Sequence, residues 1–321
     1  MAASSPSPEI SVVIPTYGGQ QTLRPLVQQI SAVLEGRIFE ILFVHDCGPD
    51  DSWSVIAELS RGNPAVRGIN LRRNFGQHNA VIAGLNYARG KVIVTMDDDL
   101  QHSPSDIQAL CGKIDEGYDV CYAAFKDRKH AWWKRLGSQF NDRLARFLLG
   151  KPKNLYLSPF RSISREVRDE LIKFAGPSVY IDGLILNVTQ NIASIQVEHY
   201  ERPTGEGHYT LKRSIRLLVK MATSGSIAPL RLSAFLGFSM SLAGFVLALL
   251  LVLQRFTINA MPIGWSSLIV TSLILGGVQL LALGILGEYL GQLFLRAGGR
   301  PQFVIADTVN LEHGEKLPRN A

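Results

Sequence analysis

Between residues 10 and 125, short apolar runs alternate with longer stretches of helical period. Ile10–Pro15, Ile38–His45, Ala65–Leu71 and Lys91–Met96 each have the length and apolar content of a buried strand. Gln20–Glu35, Asp51–Ser60 and Gly76–Arg89 between them repeat as amphipathic helices do. This rhythm predicts a parallel sheet with right-handed crossovers. Pro104–Glu116 continues it as a helix, with Pro104 suited to the first turn, and Tyr118–Phe125 as a strand. A less regular half follows. Ala131–Leu149 reads as a basic-aromatic helix, and Tyr156–Ile163, Arg165–Phe174, Asp182–Thr189 and Ile192–Tyr200 as further elements.

The pattern then changes. Residues 232–253 and 266–287 are almost unbroken apolar runs, and about 22 residues of helix reach roughly 33 Å, enough to cross a bilayer. Arg213, Arg216, Lys220 and Arg231 precede the first run and Arg296 and Arg300 follow the second, whereas the connector carries only Arg255. That asymmetry predicts a helical hairpin with both ends in the cytoplasm. His208–Ser224 is amphipathic, with Leu211, Ile215, Leu218 and Val219 opposite Lys212, Arg213, Arg216 and Lys220. It reads as an interfacial helix or a plain surface helix. The expected organisation is a flexible segment over 1–9, a catalytic-type domain over 10–207, an interfacial helix over 208–226, a transmembrane hairpin over 227–295 and a cytosolic tail over 296–321.

Composition narrows the classes. The 321 residues are 46% hydrophobic and 19% charged, which excludes a disordered or fibrous chain. The formal charge of +6 raises anionic partners, but no aromatic-rich basic stripe of the kind that grips single-stranded nucleic acid is present. Nucleic acid is therefore not an expected partner. Cys47, Cys111 and Cys121 form no C-x-x-C pair and read as reduced thiols, and the N-terminus lacks the basic and apolar regions of a signal peptide.

Open parallel sheets bind ligands beyond the carboxyl ends of their strands, which selects Pro15–Gly19, Asp46–Asp51 and Asp97–Gln101. If strand alternation continues, Asp97 and Asp99 share a face, and their oxygens with Gln101 suit Mg²⁺ or Mn²⁺; the alternative is a solvated acidic turn. Asp46 and Asp50 bracket a turn, either to meet a nucleotide or to close the turn and cap the next helix. Arg72–His78 is suited equally to a phosphate and to strand-to-helix packing. The loop Tyr200–Tyr209 contains Gly205 and Gly207, and Arg202 and His208 are placed to close over a diphosphate as a lid, or merely to link. Glu288 and Gln279 read as helix–helix hydrogen-bonding groups.

Val12-Val13-Ile14-Pro15-Thr16-Tyr17 with the later acids resembles family 2 glycosyltransferases of the GT-A fold. Arg73-Asn74-Phe75-Gly76-Gln77-His78, Met96-Asp97-Asp98-Asp99-Leu100-Gln101 and Gly287-Glu288-Tyr289-Leu290-Gly291 resemble the polyprenyl-phosphate glycosyltransferases, the group of dolichol-phosphate mannose synthase, bactoprenol glucosyltransferase and undecaprenyl-phosphate aminoarabinose transferase. The similarity runs from about residue 10 to 305. It implies an α/β GT-A domain, Rossmann-like with a mostly parallel sheet, on the cytoplasmic side of the bacterial inner membrane. It also implies a UDP-, GDP- or dTDP-linked sugar donor, a polyprenyl phosphate acceptor, membrane lipid contact, Mg²⁺ or Mn²⁺, and a homo-oligomer, often a tetramer in relatives.

By position, the resemblance assigns Pro15, Tyr17, Asp46, Asp50, Asp97 and Asp98 to the nucleotide-sugar, and Asp97, Asp99 and Gln101 to the metal. It assigns Gln101, Arg128, Arg135, Arg161, Arg202 and His208 to the diphosphate or acceptor, with Asp99, Arg161 and Arg202 at the reacting centre. The sequence departs from the family's patterns at Gly18-Gly19, at Leu155, at Pro159 before Phe160-Arg161, and at His208, which replaces a lysine. The implied reaction is inverting sugar transfer to a polyprenyl phosphate. Its rivals are a family 2 transferase acting on a glycan or glycerolipid and a catalytically inactive membrane scaffold.

Overall fold

The computed structural model describes residues 7–125, 152, 155–174, 176, 179–198, 228–257, 264–298 and 301–311. The Ala131–Leu149 and His208–Ser224 helices expected from the sequence lie outside these residues.

Four parallel strands form the heart of the sheet: β1 (Ile10–Thr16), β2 (Phe39–His45), β3 (Val66–Leu71) and β4 (Val92–Thr95). They stand in the order β3-β2-β1-β4, joined by α1 (Leu23–Val33), α2 (Ser52–Gly62) and α3 (Gln77–Tyr87). A 3-10 turn (Pro104–Asp106) and α4 (Ile107–Asp115) lead to β5 (Val120–Phe125). β6 (Arg161–Ser164), α5 (Arg165–Leu171), α6 (Ile181–Val188) and β7 (Ile192–Val197) follow. β6 runs antiparallel between β4 and β5, and β7 lies parallel outside β5.

Alternation along each strand divides the core into two layers. Val12, Ile14, Ile41 and Phe43 pack on one face with α1, α2 and α4, whereas Val13, Leu42 and Val44 pack on the other with α3. Pro15 sits in a central strand without breaking it. Its ladder with β2 continues through Val44, but the pairing with β4 has already ended at Val13, so no partner on that side needs its missing N–H.

The apolar runs are two long helices, α7 (Ala228–Thr257) and α8 (Trp265–Ala297), which pack on each other. Beyond α8 the structure departs from the expected tail. β8 (Ile305–Val309) returns to the α/β domain and adds antiparallel to β3, completing an eight-stranded sheet among the described residues. Its alternation is too short and too polar to stand out in sequence, and it forms because β3 offers an open edge. Asn310, at φ 56°, locks it: the side-chain amide donates to the carbonyls of Ser60 (2.5 Å) and Val66 (2.9 Å). The Asn310 carbonyl accepts from Arg67, whose guanidinium is buried against Glu40 at 2.5 Å.

Candidate functional site

The carboxyl ends of β1, β2 and β4 bring the three selected segments together. After β1, Tyr17 is exposed and Gly18 turns the chain at φ 82°. After β2, Asp50 reaches across to this loop. Its Oδ2 accepts from the Gln20 amide (3.0 Å) and its Oδ1 from the Ser52 hydroxyl (2.6 Å), while Ser52 Oγ accepts from the Gly19 amide (3.1 Å). Burial pushes the Asp50 carboxyl up, but these hydrogen bonds outweigh it and hold it below its ordinary value.

Asp46 is buried, and its two oxygens accept the backbone amides of Phe75 (2.7 Å) and Gly76 (2.8 Å). Burial raises its pKa despite those donors and the neighbouring His45. Asp46 and Asp50, which the sequence offered either to a nucleotide or to the turn itself, fasten the loops at this end of the sheet. The reason is proximity: both carboxylates lie beside backbone amides that no strand or helix satisfies.

The acidic cluster also differs from expectation in its geometry. β4 ends at Thr95, so Asp97–Asp99 lies in a bend beyond the pleat, and alternation does not set its directions. Asp97 Oδ1 accepts from Gln77 Nε2 (2.6 Å) at the start of α3, and Asp99 Oδ1 accepts from the Gln101 amide (3.1 Å). The Asp98 carboxylate faces the β1 loop so closely that a Cβ on Gly19 would collide with it. Leu100 adopts φ 58°, uncommon for leucine, and is held there by packing on the core beneath β4. Asp97 thus reaches α3, Asp98 faces the β1 loop, and Asp99 closes on its own bend.

The donor set fits a hard divalent cation. Among the described residues no three acidic, histidine or cysteine side chains converge into a cage. Half-exposed carboxylates supplying one or two ligands, with substrate phosphates and water filling the rest, are how Mg²⁺ is commonly held.

Arg161, expected to meet a phosphate, has its partners within the chain. It is buried and ion-paired with Asp182, and it donates to Thr95 Oγ1 (3.2 Å) and the Tyr122 hydroxyl (3.4 Å). Burial alone would lower its pKa, but Asp182 and Tyr122 raise it. Burial, then Asp182, pushes the Tyr122 and Tyr180 phenols above their ordinary values. Tyr180 meets the His78 ring edge-on at 5.3 Å. A buried polar chain therefore runs from Thr95, at the foot of the acidic bend, to the start of α3.

Sequence reasoning missed Gln77, Thr95, Tyr122 and Tyr180 as supports. It also missed His45, whose Nε2 accepts from the Gly48 amide (3.0 Å) while Nδ1 meets Asn70 Oδ1 (2.8 Å). Only Gln77 carried a signal, through its place in the Arg72–His78 motif. Arg128, Arg135, Arg202 and His208 lie outside the described residues.

Residues 11–172, half of the chain, match the model of the family described as glycosyl transferase family 2. The chain belongs to that family. This family 2 glycosyltransferase has the GT-A type of α/β domain, and its chemistry is glycosyl transfer from a nucleotide-sugar. Among solved structures it is similar in fold to glucosyl-3-phosphoglycerate synthase from Mycobacterium tuberculosis (18% identity, TM-score 0.50), a match covering 67% of this chain and 79% of that one. Mannosyl-3-phosphoglycerate synthase from Rubrobacter xylanophilus (16% identity, TM-score 0.50) matches over 66% of this chain and 71% of its own.

Proposed function

We propose that this glycosyltransferase is anchored in a membrane and transfers the sugar of a nucleotide-sugar to a polyprenyl phosphate, with inversion at the anomeric carbon. The observation that carries this reading is the insertion of α7 and α8 between two strands of one sheet. Because β3 and β8 pair, the chain between them must cross any bilayer an even number of times. Ile274–Leu295, in α8, is long and apolar enough to cross, with a mean hydropathy of 1.5 and no part buried within the chain. We assign its return to α7, whose apolar stretch Ser233–Val246 is the shorter of the two. At 30 and 33 residues the two helices are about 45 and 50 Å long, longer than a hydrocarbon core of about 30 Å.

A phosphomonoester is mostly dianionic at neutral pH, with its second pKa about 6, so the acceptor needs no general base. The protein's work is alignment and charge neutralisation. Asp99 and Gln101, with Asp97, would hold Mg²⁺ or Mn²⁺, which when bound supplies positive charge to the departing diphosphate. Tyr17 offers an exposed ring to the nucleotide, and Asp98 braces the acidic bend against Gly19. Asp46 and Asp50 fix the loops. Arg161 is a positioning residue under the bend, and the acceptor phosphate is assigned to Arg202, His208, Arg128 and Arg135. The bacterial inner membrane, with the catalytic domain on its cytoplasmic side, is the matching location.

The test is transfer from a panel of labelled UDP-, GDP- and dTDP-sugars to undecaprenyl phosphate, 3-phosphoglycerate, diacylglycerol and a glycan primer, each with Mn²⁺, Mg²⁺ or chelator. Labelled polyprenyl phosphate formed only with metal supports the reading. Transfer solely to another acceptor overturns it.

A further inference from the structure

We propose that the Arg72–Arg73 corner of the catalytic domain is an interaction surface for the anionic headgroups of the membrane that α8 enters. The inference rests on the membrane-anchored reading and adds to it the face by which the domain meets the bilayer.

The sheet register fixes the geometry. Ile305, the first residue of β8, stands opposite Leu71, the last residue of β3, and the Arg72 amide donates to the Val304 carbonyl at 2.8 Å. The chain leaving α8 therefore joins the sheet at the carboxyl end of β3. From Ala297, where α8 ends, to Val304 the backbone reaches at most roughly 25 Å even when fully extended. Arg72, hydrogen-bonded to Val304, therefore lies within roughly 30 Å of the end of the membrane helix. β1, β2 and β4 run parallel to β3, so Tyr17, Asp46 and Asp97–Asp99 lie at the same, membrane-proximal end.

The charges at this corner suit a negative surface. Arg72 and Arg73 are exposed, and neither is in an ion pair among the described residues. The Arg73 guanidinium lies 4.6 Å over the Phe75 ring, which steadies it without neutralising it. Of the acids at this end, Asp46 is buried against the Phe75 and Gly76 amides, and Asp97–Asp99 belong to the bend after β4, which two strands separate from β3 in the sheet, so the two arginines are the charges that follow directly on the end of β3 itself. The sequence adds Arg296 and Arg300 along the same connection. Each basic residue near an anionic leaflet strengthens attachment about fivefold, so even two of them bias the orientation of a tethered domain.

The test uses the full chain in nanodiscs of phosphatidylcholine alone or with about one-third phosphatidylglycerol, followed by hydrogen exchange of residues 72–77. Exchange should slow about threefold or more in the anionic discs. The slowing should vanish in R72Q/R73Q and at high salt, where screening shortens the reach of these charges. Equal exchange in both lipids, or slowing that survives the double substitution, overturns the inference while leaving the anchored transferase standing. Inorganic phosphate reproducing the protection in neutral discs would identify a free-anion site and overturn it as well. A chain that does not incorporate into discs at all sinks both readings. A matching melting temperature for R72Q/R73Q and the parent shows that the double substitution leaves the fold intact.

Discussion

Arg161 and Asp182, on β6 and at the start of α6, form a buried ion pair beneath the acidic bend of a family 2 glycosyltransferase. An arginine that the family resemblance assigns to a phosphate here faces inward, and its neighbours Thr95 and Tyr122 complete its hydrogen bonds.

Breaking this pair from one side strands a buried charge. D182N should destabilise the domain by about 3–5 kcal/mol, read as a lower melting temperature. R161M/D182L should recover a large part of that loss, because neither charge is then left alone. Equal destabilisation by the single and double variants would contradict the pairing.

Asp46 accepts two amides, and an asparagine in its place offers one oxygen and an amino group. D46N should cost about 1–3 kcal/mol through one unsatisfied amide at Phe75 or Gly76. Hydrogen exchange at those two amides should rise with it, which distinguishes this effect from a general loss of stability.

The two loop acids should respond to pH with opposite sign. Asp46 titrates above its ordinary 3.8, so the folded chain holds its proton more tightly. Its stabilising contribution is full below that value and declines as pH rises through the raised one. Asp50 titrates below 3.8, so its contribution is present above that value and is lost as pH falls through the lower one. Melting temperature against pH, as parent minus D46N and parent minus D50N, should therefore slope in opposite directions across this window.

Gly19 leaves room for Asp98, and G19A should push that carboxylate out of place without touching the core. We expect turnover to fall about 10–100-fold, the scale of an ångström-sized misplacement, with an unchanged melting temperature. D99N should abolish transfer while the chain still folds. Near-normal turnover in D99N would remove the metal role from the bend.

N310A deletes both donors that lock β8 while leaving Arg67 and Glu40 in place. A cost of about 1–3 kcal/mol is expected, together with faster amide exchange along β3. If exchange in β3 is unaffected, the side chain of Asn310 is not what holds the added strand.

Sequence by itself determined the alternation of strands and helices as far as Phe125, because periodicity and burial are local quantities that each segment expresses alone. It also brought the ends of β1, β2 and β4 together as the candidate site, since in a parallel sheet those ends lie together whatever the packing details. Direction of side chains was another matter. Whether Asp46 meets a ligand or the Phe75 amide, and whether Arg161 meets a phosphate or Asp182, depends on segments tens of residues apart, whose juxtaposition no local pattern encodes. The same holds for β8: five residues of ordinary polarity become a strand only because β3 presents an open edge, and that long-range pairing ties both ends of the helical hairpin to one domain.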